Sequence, residues 1–448
     1  MEKVTRSLLI LLINLILADI GLLAQNPLIL DQFTADPSAR VFEGKVFVYP
    51  SHDVPCGPGQ GFIGFCMPDY HVFSSEDLVH WKDHGVILSQ EKVPWVDSTA
   101  YSLWAPDCIF RDGKYYFYFP ARPHDRSKGL GPAIGVAISG SPYGPYEPET
   151  DPIRGVSGID PNPFIDKDGK AYLFWAMHRK LSGAKLTDDM KQLASEPKVI
   201  EGLPEGFKEG PYLFERNGIY YFTFPCVQEK TELLAYATGN NPMGPFEYRG
   251  VIMDESPAGC WTNHHSIIEY KGQWYLFYHH NDLSPEFDKN RSIRVDSLFF
   301  NEDGTIQKVM PTLRGVGISN ARERIQPDRY SAISAEGVAI EFLDTTNRIS
   351  GWKTKLGGKD AWVRYNCIDF GNGHLRSLKV RTFSSDGGVV EFRLNSREGK
   401  LLARIDMGNT EGWSEEDQPL ADTPAGIHDL YIISLDEGRK EIDWIQFE

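Results

Sequence analysis

The chain has 448 residues, 41% hydrophobic and 24% charged, which is the balance of a globular protein large enough for two or three domains. A formal net charge of −16 repels polyanions and excludes nucleic acid or an anionic membrane as the expected partner. Aromatic residues reach 12%, and without a basic stripe they suit buried strands or stacking on uncharged sugar faces.

Residues 1–25 read as a secretory signal peptide: Lys3 and Arg6 precede an apolar run from Leu8 to Leu17, and Leu22-Leu23-Ala24-Gln25 offers a small residue for cleavage. Export to the periplasm or the medium is the implied fate. The competing reading is a retained anchor, against which Asp19 and the shortness of the clean run argue. No later segment is long and apolar enough to span a bilayer, so no membrane association is expected once the signal is removed.

Residues 26–318 carry one motif five times, a turn glycine followed by an aromatic run, with glycines at 44, 113, 169, 218 and 272. Asp112-Gly113-Lys114-Tyr115-Tyr116-Phe117-Tyr118 and Lys271-Gly272-Gln273-Trp274-Tyr275-Leu276-Phe277-Tyr278 are examples. Each predicts a tight hairpin turn feeding a half-buried strand. Repeats at roughly 50-residue intervals without helical periodicity predict a β-propeller, and five copies predict five blades. A polar residue leads each copy: Asp36, Asp107, Asp160, Glu209 and the pair His264-His265. Strand-opening turns favour Asp and Pro for local reasons, but five such residues in step imply side chains converging on the propeller axis.

Residues 319–325 read as a linker. Residues 326–448 alternate apolar and polar positions in short runs such as Leu378-Lys379-Val380-Arg381-Thr382, predicting a β-sandwich of jelly-roll type. The fold class is therefore all-β, a five-bladed β-propeller followed by a sandwich. Of six cysteines, Cys56 and Cys66 flank a glycine-rich loop and are the one pair considered for a bridge; the others read as buried thiols, and no zinc cluster is indicated.

Cleavage of a glycosidic bond needs an acid on the leaving oxygen and a second carboxylate as nucleophile or base. Asp36, Asp160 and Glu209 are the candidates. Glu209 stands on a rigid Glu-Gly-Pro turn where partial burial would raise its pKa toward that of a usable acid.

These motifs resemble glycoside hydrolase family 43 over roughly 26–318. The resemblance implies an inverting mechanism with Asp36 (in Ala35-Asp36-Pro37) as general base, Asp160 (in Ile159-Asp160-Pro161) tuning the acid, and Glu209 as general acid. Inversion would set Asp36 and Glu209 roughly 6.5–9.5 Å apart. Trp104-Ala105-Pro106-Asp107 resembles the family's sugar-contacting motif, which implies substrate binding by Trp104 and Asp107. Asn263-His264-His265-Ser266 places His265 at the channel centre, where many members hold a calcium-type ion through water; no cofactor is otherwise required. Arg291 resembles the substrate-binding arginine, with Arg294 competing for the role.

Residues 326–448 resemble a family 6 carbohydrate-binding module through Trp362-Val363-Arg364-Tyr365 and Ile442-Asp443-Trp444-Ile445, most of which read as core. Departures at Glu441 and around Trp413 leave glycan binding and a purely structural sandwich both open. The expected activity is exo-acting α-L-arabinofuranosidase or β-xylosidase on arabinose- or xylose-containing glycans. Endo-arabinanase, a galactan-cleaving enzyme or an inactive glycan-binding protein are the alternatives.

Overall fold

A computed structural model describes residues 25–125, 131–346, 351–420 and 422–448. The expected signal peptide lies outside them except for Gln25. The described chain is built from strands, with one short 3-10 turn at Gln90–Lys92.

Five antiparallel sheets follow one another as blades. Blade 1 comprises β1 (Phe33–Phe42), β2 (Lys45–Asp53), β3 (Asp69–Ser75) and β4 (Lys82–Ser89); blade 2 comprises β5 (Asp107–Arg111), β6 (Lys114–Ala121), β7 (Ala133–Ser139) and β8 (Glu147–Pro148). Blade 3 runs β9 (Ile159–Ile165), β10 (Ala171–Met177), β11 (Lys180–Lys185) and β12 (Lys198–Val199); blade 4 runs β13 (Tyr212–Arg216), β14 (Ile219–Val227), β15 (Glu232–Gly239) and β16 (Glu247–Met253). Blade 5 has three strands, β17 (His265–Tyr270), β18 (Gln273–His280) and β19 (Ser292–Leu298). The first strands form the inner ring, with β1 packed on both β5 and β17. The expected five-bladed propeller is what the chain forms.

The motif glycines all have positive φ, between 76° and 83°, at the turn from first to second strand of each blade. Glu43, Asp112, Asn217 and Lys271 share that sign beside their glycines, the two-residue turn whose twist matches the strands it joins. Aromatics of the second strands fill the seams between blades: Phe117 packs on Tyr70, and Phe174 on Phe222. The N-terminal stretch closes the ring along β19, with Leu28 N–H donating to Ile293 O at 2.9 Å and Asn26 N–H to Leu313 O at 2.8 Å.

The second domain is the expected sandwich. One sheet holds β20 (Ser319–Asn320), β21 (Ala332–Ile333), β24 (Trp362–Asp369), β26 (Gly388–Leu394), β27 (Leu401–Met407) and β29 (Ile427–Ser434). The other holds β22 (Val338–Phe342), β23 (Trp352–Leu356), β25 (Ser377–Ser384), β28 (Ser414–Pro419) and β30 (Lys440–Phe447). Tyr365, Val380, Phe392, Ile432 and Ile445 fill the core between them. The 319–325 segment differs from the linker expected of it. β20 pairs parallel with Ile368 and Asp369, and Ile325 exchanges hydrogen bonds with Ile445 at 2.8 Å in both directions, so it is an edge of the sandwich. Just before it, buried Arg314 donates to Asn366 O at 3.4 Å and lies 4.8 Å over the Tyr365 ring, tying the two domains together.

Candidate active site

Asp36 and Asp160 are aimed by the same backbone device. Each precedes a proline on an inner strand, with φ of 47° and 58° respectively. At Asp36, the β1 interval Ala35–Ser38 faces the shorter β2 interval Ser51–Tyr49; at Asp160, Ile159–Asn162 faces Ala176–Phe174. The extra residue is a β-bulge that turns the carboxylate away from the ladder. A non-glycine residue held there costs about 1–3 kcal/mol, which the surrounding sheet must offset.

Glu209 arrives from the turn before β13. Gly210 has φ of 59°, and a Cβ there would stand 2.8 Å from Pro225 and 3.3 Å from His264 Nδ1, so the turn needs glycine. The Gly210 N–H donates to Asp160 Oδ2 at 2.8 Å, fixing the two carboxyl groups as neighbours. Asp36, Asp160 and Glu209 line one cavity of about 230 Å³ with Trp104, Lys208, Glu232, Trp261, His264 and Arg291. Drug-sized sites occupy about 300–1,000 Å³, so this one has the scale of a single sugar.

The loop between β2 and β3 forms one wall. The Cys56–Cys66 disulfide closes it, as the sequence spacing allowed, and Phe62, Ile63 and Phe65 of the loop reach the cavity. Phe62 lies 6.2 Å from Trp104, and Arg122 stacks 4.5 Å over Phe62.

Charges divide the carboxylates. Burial pushes Asp36 up, but the Arg291 guanidinium, helped by the Ser51 hydroxyl, holds it down at about 2. Arg291 is the cation that matters. The Asp36 N–H donates to His279 Nδ1 at 3.0 Å, so that ring keeps its proton on Nε2, facing Thr262, and is neutral. Burial pushes Glu209 above the usual range, opposed by Lys208 and reinforced by Asp36. Burial also pushes Asp160 well up, with Glu209 and Asp36 adding to it. The cavity thus holds one firmly ionised carboxylate and a neighbouring pair that favours protonation.

Arg291 is placed as expected at the site, but its donors are spent on protein. It donates to Asp36 at 2.7 and 3.2 Å, to Asp53 through Nε and Nη2 at 2.9 Å each, and to Thr262 at 3.4 Å. Arg294 pairs instead with Asp282 at 2.6 Å and does not line the cavity.

Two other expected positions differ. Asp107 does not line the cavity: it pairs with Arg40, accepts from Ser38, and accepts from Asn162 Nδ2 at 2.8 Å. Its strand opens in step with the others, but Arg40 captures the side chain between inner strands. His265 also lies off the cavity, buried, with Nε2 at 2.7 Å from Thr223 Oγ1. Its neighbour His264 lines the cavity instead, 3.9 Å from Asp36. Asp53, Glu232, Lys208 and Trp261 were not foreseen. Lys208, at 4.7 Å over the Trp261 ring, neighbours Glu209 in sequence, whereas the others carry no local mark.

His265 Nδ1 is buried without a protein partner, so a calcium-type ion beside it would draw its six to eight oxygens from water rather than from a ring of carboxylates. Asp107 is engaged by Arg40 and Asn162.

On the sandwich, a groove of about 810 Å³ is bounded by Phe342, Trp352, Lys353, Arg381 and Trp413. Phe342 and Trp352 stack at 4.0 Å, and Arg381 lies 5.1 Å from the Trp413 ring.

The profile described as Glycosyl hydrolases family 43 matches residues 24–306, and that of Carbohydrate binding module (family 6) matches 332–448. The chain is 39% identical to Xylosidase/arabinosidase 43A of Humicola insolens, over 64% of this chain and 99% of that one. It is 29% identical to the Arabinoxylan arabinofuranohydrolase of Bacillus subtilis (strain 168), over 94% of this chain and 92% of that one. A GH43 β-xylosidase/α-arabinofuranosidase from a compost microbial metagenome, solved with xylotriose in calcium-free form, superposes with a TM-score of 0.58 at 38% identity, covering 64% of this chain and 97% of that one. The propeller, its cavity of opposed carboxylates and these matches agree: the chain belongs to glycosyl hydrolases family 43 and is a glycoside hydrolase with a family 6 carbohydrate-binding module behind its propeller.

Proposed function

We propose that the chain is an inverting, exo-acting hydrolase that removes terminal L-arabinofuranose or D-xylose from arabinose- or xylose-containing glycans. The observation that carries this reading is Asp36, held ionised by Arg291, sharing a sugar-sized cavity with the proton-retaining Glu209.

Asp36 stands on blade 1 and Glu209 at the head of blade 4, which are not adjacent in the ring. That placement leaves space between them for a sugar and a water, as inversion requires. The Asp36 carboxylate takes a proton from water as its oxygen attacks the anomeric carbon. Glu209 gives its proton to the glycosidic oxygen as that bond breaks, and the product leaves with the opposite anomeric configuration. Asp160, bonded to the Gly210 N–H, positions Glu209, whose own burial, reinforced by the Asp36 charge, favours the protonated form. Positioned acid and base groups each contribute roughly 10²–10⁴-fold. Arg291 serves Asp36 rather than the sugar, while Trp104, Phe62 and Trp261 offer ring faces to the substrate.

The stapled β2–β3 loop, with Phe62 and Ile63 over the cavity, supports removal of terminal units. The disulfide also fits an oxidising compartment, in keeping with export. The stacked aromatics of the sandwich groove support a second contact with glycan, outside the catalytic domain.

The test is a panel of aryl-α-L-arabinofuranoside, aryl-β-D-xyloside and linear arabinan. Release of aglycone from a pentoside, with monosaccharide as the product, is expected. Affinity for these sugars without turnover would make the chain a binding protein, and mid-chain cleavage of arabinan would make it an endo-enzyme.

A further inference from the structure

A second cluster of metal-binding chemistry lies in blade 1, away from the catalytic cavity. His52 at the end of β2, with Asp69 and His71 on β3, presents Nδ1, a carboxylate oxygen and Nε2 within 4.8 Å of one another. Strand alternation puts His52 on the opposite side of β2 from Ser51 and Asp53, which serve Asp36 and Arg291. The geometry points to a site for a divalent transition-metal ion of the zinc class, bound by His52, Asp69 and His71 and stapling the root of the loop that walls the cavity.

Three features carry this. First, the donor set is two imidazole nitrogens and one carboxylate oxygen, which suits zinc with a water in the fourth position and offers calcium or magnesium too few oxygens. Second, ligand lengths of ~2.0–2.1 Å in a tetrahedron need donors about 3.3 Å apart. His52 Nδ1 donates a hydrogen bond to Asp69 Oδ1 at 2.7 Å and His71 Nε2 lies 3.9 Å from the same oxygen, separations that bracket that value. A bound ion would take the place of the His52 proton. Small side-chain rotations reach the required spacing, because the backbones are fixed in adjacent paired strands. Third, Asp83 on β4 accepts from His71 Nδ1 at 3.0 Å, which turns the lone pair of Nε2 toward the site. A carboxylate behind a ligating histidine is the usual outer partner in zinc sites. Both histidines and both aspartates remain partly exposed, so an ion has a way in.

The consequence is mechanical. His52 and Asp69 bracket the loop that contains the Cys56–Cys66 disulfide. An ion joining them would pin the two stems of that loop, which carries Phe62 and Phe65 to the substrate.

The experiment uses the full chain, freed of metal by chelator and titrated calorimetrically with Zn²⁺ alone. One equivalent is expected to bind at the β2–β3 root and to raise the melting temperature. His71→Gln and His52→Gln should each weaken binding at least roughly 10-fold, and Asp83→Asn roughly 10–100-fold, the range for outer partners of metal ligands. His264→Gln, in the cavity, should bind Zn²⁺ as the unaltered chain does. Circular dichroism checks that each variant is folded, and Co²⁺ absorption gives a second readout that does not depend on stability. Absence of Zn²⁺ binding, or wild-type affinity in folded His52→Gln and His71→Gln, would overturn the proposal.

Discussion

Arg291 Nη1 donates to Asp36 Oδ1 at 2.7 Å, joining a residue of the first blade to one of the fifth across 255 positions of sequence. The pair is almost fully buried, and Asp53 completes it from the other side of the guanidinium. The ionisation of the base is thus set by tertiary structure that closes only when the ring closes.

That pairing sets the pH dependence. Asp36 must be ionised, so activity falls as pH drops through its pKa near 2, and Glu209 must hold a proton, so activity falls as pH rises through its raised pKa. Because the folded value of Asp36 lies below the ordinary ~3.9, its contribution to stability is present above that pH and is lost as pH falls toward 2. Arg291→Met should move the acid limb of kcat/KM upward by at least about one pH unit, equivalent to ~1.4 kcal/mol. It should also cost about 3–5 kcal/mol of stability, since two buried carboxylates lose their cation. A pH–rate profile and a urea melt measure the two effects.

Glu209→Gln and Asp36→Asn should each lower kcat by roughly 10²–10⁴-fold while substrate still binds. Quenching of tryptophan fluorescence by xylo- or arabino-oligosaccharide reports binding separately. Near-normal turnover in either variant would remove that residue from its role.

Asp107→Asn tests the opposite case. Asp107 pairs with Arg40 at the junction of inner strands and does not touch the cavity. The expected outcome is a loss of about 3–5 kcal/mol in stability with KM unchanged at temperatures where the protein stays folded. A raised KM without loss of stability would return Asp107 to the substrate.

The sequence was most legible where structure is local. The turn glycines and their aromatic strands announced five blades because each hairpin is encoded within about ten residues. The three carboxylates stood out because Asp-Pro and Glu-Gly-Pro mark bulges and tight turns that the backbone adopts around them. Long-range capture was not legible. Nothing near Asp107 announces Arg40, nothing near Asp53 announces Arg291, and Glu232 reaches the cavity from the start of β15. The choice between His264 and His265 turned on strand parity, and β20 owes its existence to a parallel partner some 50 residues away.

Reduction of Cys56–Cys66, or the double serine variant, should cost about 2–3 kcal/mol by releasing a short closed loop. If Phe62 and Phe65 position the terminal sugar, KM rises more than kcat falls. Steady-state kinetics with and without reductant checks the split.

Trp352→Ala and Trp413→Ala, on the sandwich groove, should weaken retention on insoluble arabinoxylan and leave hydrolysis of aryl-pentosides unchanged. Unaltered retention would assign the sandwich to a structural role, held to the propeller through Arg314.

The most direct test of the two-carboxylate account is the configuration of the sugar at the instant of release. Proton NMR of the anomeric signal in the first minutes of aryl-pentoside hydrolysis should show the inverted anomer first, with mutarotation following. A product that appears first with the configuration of its substrate would contradict Asp36 as base and require it, or another residue, to act as a nucleophile.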